Sequence, residues 1–231
     1  MSKVNGHTTS SIFKVTKNYG ELKMILQDIK LNFINRSTDV NNSQIVMFQK
    51  NVATGFDEIS IAWKVIENCG RLDNHPFKYP MEFQVSSADS YGNYTPKLTA
   101  YNGQSYEMVK DNSGDVLQLS SLPSSSSEEV EVNNNLSTSS IDANIYKDGK
   151  LLAAKTDVVP GQKAVFQFQP KLYIGVVSQV VEGEVMKSAI VQQVNTGINL
   201  LGIVTADIVM TGGGKGPNAL PFTFTLENVN V

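Results

Sequence analysis

The sequence predicts a mainly β protein, an antiparallel β-sandwich of Ig-like or jelly-roll-like type, built as one sandwich or as two packed sandwich layers. Three observations within Ile141–Val177, IDANIYKDGKLLAAKTDVVPGQKAVFQFQPKLYIGVV, carry that prediction. Two apolar runs flank Lys147-Asp148-Gly149-Lys150, and an Asp-Gly pair suits a tight hairpin because Gly takes positive φ freely and Asp takes it better than most residues. Val159-Pro160-Gly161-Gln162 is a second turn, with Pro presetting φ at the first corner and Gly filling the left-handed one. Ala164, Phe166 and Phe168 then alternate with Val165 and Gln167, which puts the aromatics on one face of a sheet. Strand, turn, strand, turn, strand is the rhythm of an antiparallel sandwich or barrel.

The remaining elements follow from the same two signals, period-two alternation and turn residues. Residues 1–10 read as a flexible tail and SIFKVT (11–16) as a short strand. Leu22, Ile25, Leu26, Ile29 and Phe33 fall at helical spacing, so one short helix is expected near 20–28, leading into a strand at KLNFINR. QIVMFQK (44–50) and EISIAWKVI (58–66) read as strands, the second with Ile59, Ile61 and Trp63 on one face. The prolines of His75-Pro76 and Tyr79-Pro80 favour extended, unpaired backbone, so a loop is expected from Cys69 onward. MEFQVSS (81–87), the two arms around Asn102-Gly103, VLQLSS after Asp111–Asp115, and VEVNNNL (130–136) are strands, with Asn-Gly as a hairpin signal. GEVMKSAIVQQVNTG (183–197) reads equally as helix or buried strand. INLLGIVTADIVM (198–210) reads as strand, and PFTFTLENV (221–229) as a strand with Phe222, Phe224 and Leu226 inward. About twelve strands result, and no fixed-period repeat supports a propeller or solenoid. The Ser-rich SLPSSSSEE marks the expected division: an N-terminal β half at 11–122, a Ser-rich loop at 123–129 and a C-terminal β half at 130–231, with one continuous domain as the alternative.

With 231 residues the chain is long enough to bury a substantial core. Only 18% of residues are charged, so the surface must be covered largely by Ser, Thr, Asn and Gln, a composition that lowers repulsion between copies. The formal net charge is -3 and basic residues form no cluster, which argues against nucleic acid as a partner. No apolar run approaches the ~18 residues needed to span a bilayer, and no secretory leader is visible. A single cysteine, Cys69, rules out an intrachain disulfide framework. Together these predict a cytoplasmic protein without stable membrane insertion.

Few residues suggest chemistry. Cys69 with His75 could form a thiol–imidazole pair, but a buried free cysteine beside a loop histidine is the ordinary case. With only two histidines, one of them in the tail, no standard zinc set exists. Asp111-Asn112-Ser113-Gly114-Asp115 places oxygens at alternate positions, yet it lacks the rest of a calcium loop and reads as a polar turn. Thr211–Pro217, TGGGKGP, lacks the glycine spacing, the Lys-Ser/Thr pair and the helix of a phosphate-binding loop. Asp57, Asp73 and Asp89 are scattered acids with no visible convergence. No catalytic residue, cofactor or metal is therefore assigned. The candidate ligand-binding residues are Tyr91, Asn93, Tyr94, Tyr101 and Tyr106, aromatics and an amide of the kind that stack on and hydrogen-bond to carbohydrate. The Ser-rich segment has the loose composition of a pore-forming hairpin but not its alternation.

IVMFQKN (45–51), AWKVIENCG (62–70), HPFKYP (75–80) and DSYGNYTP (89–96), with IYKDGKLLA and the terminal ADIVMTGGG and PFTFTLENV, give the chain a recognisable look. On these residues it resembles uncharacterised soluble β-proteins of microbes. The resemblance implies no activity, cofactor or site. The functional expectation is a non-enzymatic cytoplasmic structural or interaction protein that assembles with copies of itself. A carbohydrate- or other ligand-binding module is the alternative, and a pore-forming protein a more distant one.

Overall fold

The computed structural model describes residues 13–15, 24–41, 43–53, 60–194 and 196–231. Among them the chain forms eighteen strands and one α-helix. It opens with β1 (Phe13–Val15), β2 (Met24–Leu26), β3 (Ile29–Asn35), β4 (Gln44–Phe48), β5 (Lys64–Ile66) and β6 (Asn74–Tyr79). Then come β7 (Phe83–Asp89), β8 (Leu98–Ala100), β9 (Gln104–Asp111), β10 (Gly114–Pro123), β11 (Glu129–Asn134), β12 (Ile141–Lys147), β13 (Lys150–Val158) and β14 (Lys163–Gln167). The last part holds β15 (Lys171–Val177), α1 (Ser188–Gln193), β16 (Thr196–Asn199), β17 (Thr205–Gly213) and β18 (Leu220–Asn230).

Apart from a β1–β2 ribbon, the strands form four four-stranded sheets, ordered β18-β17-β3-β6, β16-β15-β4-β5, β13-β12-β7-β8 and β10-β9-β11-β14. All pairings are antiparallel except β17 with β3 and β11 with β9. The β-sandwich class predicted from sequence is what is observed. The sheets sort the chain by nesting. The first two sheets use only strands before Tyr79 and after Lys171, whereas the other two use only strands between Phe83 and Gln167. The Ser-rich segment is internal to one sheet, since β9 before it pairs directly with β11 after it.

One apolar core runs through all four sheets, from Ile29, Leu31 and Phe33 on β3 to Val130 and Val132 on β11. The alternation that sequence shows is the cause: burial on β3 falls on every second residue, and on β12 Ile141, Ala143, Ile145 and Lys147 are buried on one face, with Asn144 buried on the other as well. The β4 sheet is covered on both faces, which is why IVMF reads as a continuous apolar run. Ile45 and Met47 enter the main core, while Val46 and Phe48 pack with Val177, Met186 and Val194 beneath α1. Gly175 permits that cover, because a Cβ there would meet the Val194 methyl 2.7 Å away.

The turns inside Ile141–Val177 form as their residues dictate. Asp148 (φ 55) and Gly149 (φ 71) make the β12–β13 hairpin, and Gly161 (φ 80) makes the next turn, where Gln162 N–H donates to Val159 O at 3.0 Å. Other expectations are corrected. Met24–Leu26, within the segment expected to be helical, is a strand paired with β1, and 20–23 lie outside the described residues, as does the 1–10 tail. The helix forms instead at Ser188–Gln193, where 183–197 was ambiguous. His75-Pro76 lies within β6, an edge strand, the position in a sheet where proline is tolerated. Asn102-Gly103 makes a turn but no hairpin, since β8 and β9 belong to different sheets. Of EISIAWKVI only Lys64–Ile66 is a strand; Ser60 and Ala62 bond irregularly to the 183–186 segment, and 54–59 lie outside the described residues.

Thr211–Gly213 end β17 and the chain turns through 214–219 into β18, with Gly212, Gly213, Gly214 and Gly216 all at positive φ. At Gly212 a Cβ would collide with the Pro221 carbonyl, whereas at Gly216 it would enter open space. Gly212→Ala should therefore cost at least about 2 kcal/mol of stability and Gly216→Ala about 1 kcal/mol, read from urea midpoints of the two variants. Equal losses would contradict the packing of this corner.

Candidate functional site

The five tyrosine and asparagine positions singled out from sequence do not converge. β7 pairs with β8 so that Phe83 faces Ala100, which places Tyr101 beside Glu82 at one end of β7, while the turn carrying Tyr91 and Asn93 and the Tyr94 bridge to Ala88 lie at the other, roughly 20 Å away. Tyr91 and Tyr94 are 90% and 67% exposed. The Asn93 amide donates to Asp89 Oδ2 at 2.8 Å, and Asp89 Oδ1 accepts from the Tyr91 and Asn93 N–H groups. Those bonds, the Asn93 side chain first, hold the Asp89 carboxyl below its usual range. Tyr106 is core: 2% exposed, with its hydroxyl donating to Thr99 O at 2.6 Å.

A cleft of about 710 Å³ lies elsewhere, where the end of β14 passes into β15 and meets the β8–β9 turn. Its polar walls are Asn102, Glu128, Gln167, Gln169, Lys171 and Asn199. Phe168, Pro170 and Leu201 supply its apolar surface. The walls are held from behind. Gln49 Nε2 donates to the carbonyls of Gln169 (2.9 Å) and Lys171 (3.3 Å), Leu200 N–H donates to Pro170 O at 2.7 Å, and Gln167 Nε2 donates to Glu128 Oε2 at 3.1 Å. The Phe168 ring lies 5.7 Å from that of Phe83. Gly197 gives Lys171 its path, because a Cβ there would collide with the Lys171 stem. Gln167 and Gln169 alternate with Phe166 and Phe168 and so were visible as a polar face; Asn102 and Glu128 join them only through sheet packing, which no local pattern reports.

Behind Phe83 sits a buried lysine. Lys147 ends β12 in the same parity as Ile141, Ala143 and Ile145, so its side chain points inward, and it is 1% exposed. Its ammonium donates to Pro80 O at 2.6 Å and lies 4.1 Å and 4.3 Å from the Tyr79 and Phe83 ring centroids. Burial pushes this amine down to about 7, with Asp28 opposing the shift. The aromatic faces favour the cation. Read as a hairpin residue, Lys147 looked ordinary; its period-two position was the signal of burial.

Cys69 is buried, and burial, then the Asp73 carboxylate, push its thiol up to about 11. His75 lies on β6 opposite Phe33. The Asp111 carboxylate accepts from Ser113 N–H and Gly114 N–H, the bonds of a polar turn. Asp73 Oδ2 accepts from Gly70 N–H, and Asp57 lies outside the described residues. Among the described residues no group of three or more His, Cys, Asp or Glu could hold a metal ion, and no helix is long and apolar enough to cross a membrane.

The sheet edges differ in length and in charge, although β10 and β18, like β6 and β13, carry a proline or a register shift. β5 and β8 have three residues and β16 four. β6 carries Pro76, β14 carries Lys163, and the β13 pairing is broken by bulges. β10 and β18 are ten and eleven residues long and lie at the outer edges of their sheets, with no further strand beside them among the described residues. Asp115 is the only charge on β10, and Glu227, the only charge on β18, is paired with Arg36 at 2.8 Å. Register is unbroken over Gly114–Leu119 and Thr223–Glu227.

Two outcomes follow from the buried groups. Between about 7 and 10.5 the unfolded chain keeps a Lys147 proton that the folded chain has released, so this group makes stability rise with pH across that window. The stability advantage of Lys147→Met over the parent should therefore shrink from about pH 7 to about pH 9 by up to about 2 kcal/mol in urea unfolding. A pH-independent difference would contradict the buried amine. Cys69 should react with a chromogenic disulfide reagent at least about 100-fold faster in denaturant than in the native chain.

No family model matches the chain, and no curated protein or solved structure matches it either.

Proposed function

We propose that this chain is a non-enzymatic cytoplasmic protein that associates with copies of itself by adding strand to strand at β10 and β18. The observation that carries this reading is the pair of long outer edges, each with one charge. An edge strand offers a row of N–H and C=O groups to another chain, and natural proteins ordinarily defend such edges with lysines, prolines, bulges or short length. β10 and β18 keep a proline each, Pro123 and Pro221, and register shifts near their ends, but neither carries a lysine and each leaves an unbroken run, Gly114–Leu119 and Thr223–Glu227. Leu119 and Leu122 on β10, 54% and 71% exposed, add apolar surface beside the backbone groups. The second copy is the favoured partner because the two edges match in length and because a chain with 18% charged residues repels itself weakly. Pairing β10 of one copy with β18 of the next is head-to-tail, which builds a ring or a filament according to the rotation it imposes. The single, buried cysteine suits a reducing compartment.

Sedimentation velocity over a concentration series, from micromolar upward, should show concentration-dependent oligomers. The exposed-site variants Leu119→Lys and Thr225→Lys should each raise the concentration needed by about tenfold with unchanged thermal unfolding, since charge on an edge opposes pairing. A chain that stays monomeric at the highest soluble concentration ends this reading.

A further inference from the structure

Independently of self-association, we propose that the cleft between the β14–β15 passage and the β8–β9 turn is a binding site for a neutral saccharide of two or three sugar units. Four features argue for that chemical class. The polar walls are dominated by amides, Asn102, Gln167, Gln169 and Asn199, and an amide both donates and accepts, as vicinal hydroxyls require of a partner. The two charged walls, Glu128 and Lys171, cancel, so the site has no net attraction for a phosphate or a carboxylate, which would call for an excess of positive charge. Phe168 and Pro170 add flat apolar surface of the kind that packs on the C–H face of a pyranose ring, and Leu201, 66% exposed, adds to it at the rim. The volume, about 710 Å³, lies within the range of small-ligand sites.

The cleft is also built before any ligand arrives. Gln49 holds the backbone on either side of Pro170, and Gln167 already orients Glu128. The Phe83 ring backs Phe168. A preorganised wall loses little freedom on binding, which favours a small polar ligand that must displace water to bind. The exposed Tyr91 and Tyr94 lie at the far end of sheet β13-β12-β7-β8 and take no part in the cleft.

The test is titration of the isotope-labelled full chain with maltose, cellobiose and N,N′-diacetylchitobiose, each to about 50 mM, read by amide chemical shifts. At least one of the three should shift Asn102, Gln167–Lys171 and Asn199 with a dissociation constant of roughly 1 mM. Asn102→Ala and Glu128→Ala, both at exposed positions, should each weaken that binding by about tenfold while thermal unfolding stays unchanged. Tyr91→Ala and Tyr94→Ala should leave it as it is. The proposal is overturned by the absence of shifts at the cleft with all three sugars. It is equally overturned by shifts confined to the Tyr91–Tyr94 turn, or by binding that survives both cleft variants. Oligomeric state, measured on the same samples, fails or holds separately.

Discussion

The placement of Trp63 is the constraint on which the rest of the molecule depends. Its indole N–H donates to the carbonyl of Lys147 at 2.9 Å, so a residue just before β5 grips the end of β12. Its ring meets Phe77 and Tyr79 edge-on at 6.4 Å and 5.8 Å, which adds β6 to the same contact. Lys147 in turn reaches back to Pro80 O between Tyr79 and Phe83, and Phe83 packs on Phe168. One chain of contacts thus runs from Trp63, beside β5, through β12, β6 and β7 to Phe168, beside β14, so it touches all four sheets and ends at the floor of the cleft. A buried indole N–H and a buried ammonium both demand partners, and each finds a backbone carbonyl. The junction is therefore specified in direction as well as in area, which apolar packing alone would leave looser.

Much of this fold was legible because a strand's two faces are written into alternate residues. The turns at Asp148-Gly149 and Gly161, the inward parity of Ala164 and Phe166, and the strands β4, β7, β11 and β18 all follow from local chemistry. What was not legible depended on partners distant in sequence. The apolar spacing of Leu22 to Phe33 suits a helix as well as two strands, and pairing of Met24–Leu26 with β1 decides between them. Asn102-Gly103 reports a reversal of the chain but not which sheet receives the next strand. Pro76 argues against a central strand, and β6 is an edge.

The candidate sites divide in the same way. Tyr91 and Tyr94 were recognisable as turn residues, yet a cluster in sequence became two places in space, because β7 separates its ends. Tyr106 shared their composition but carries core packing. The cleft draws Asn102, Glu128, Gln167 and Asn199 from four separate segments, so no window of sequence contains it. Gln49 supports it through two carbonyl bonds without reaching a wall position in sequence at all.

The nested course of the chain has a consequence for the order of events during synthesis. Every strand of the two inner sheets has left the ribosome once Gln167 has emerged, so that unit can close upon itself early. β3 must wait for Thr205–Gly213, and β4 for Lys171–Val177, before either gains its central neighbour. Until then the apolar faces of Ile29–Asn35 and Gln44–Phe48 lack their lasting cover, and loop closure over such separations is slow. The nascent chain thus carries a finished inner body flanked by unfinished sheets, the interval in which a chaperone would find most to hold.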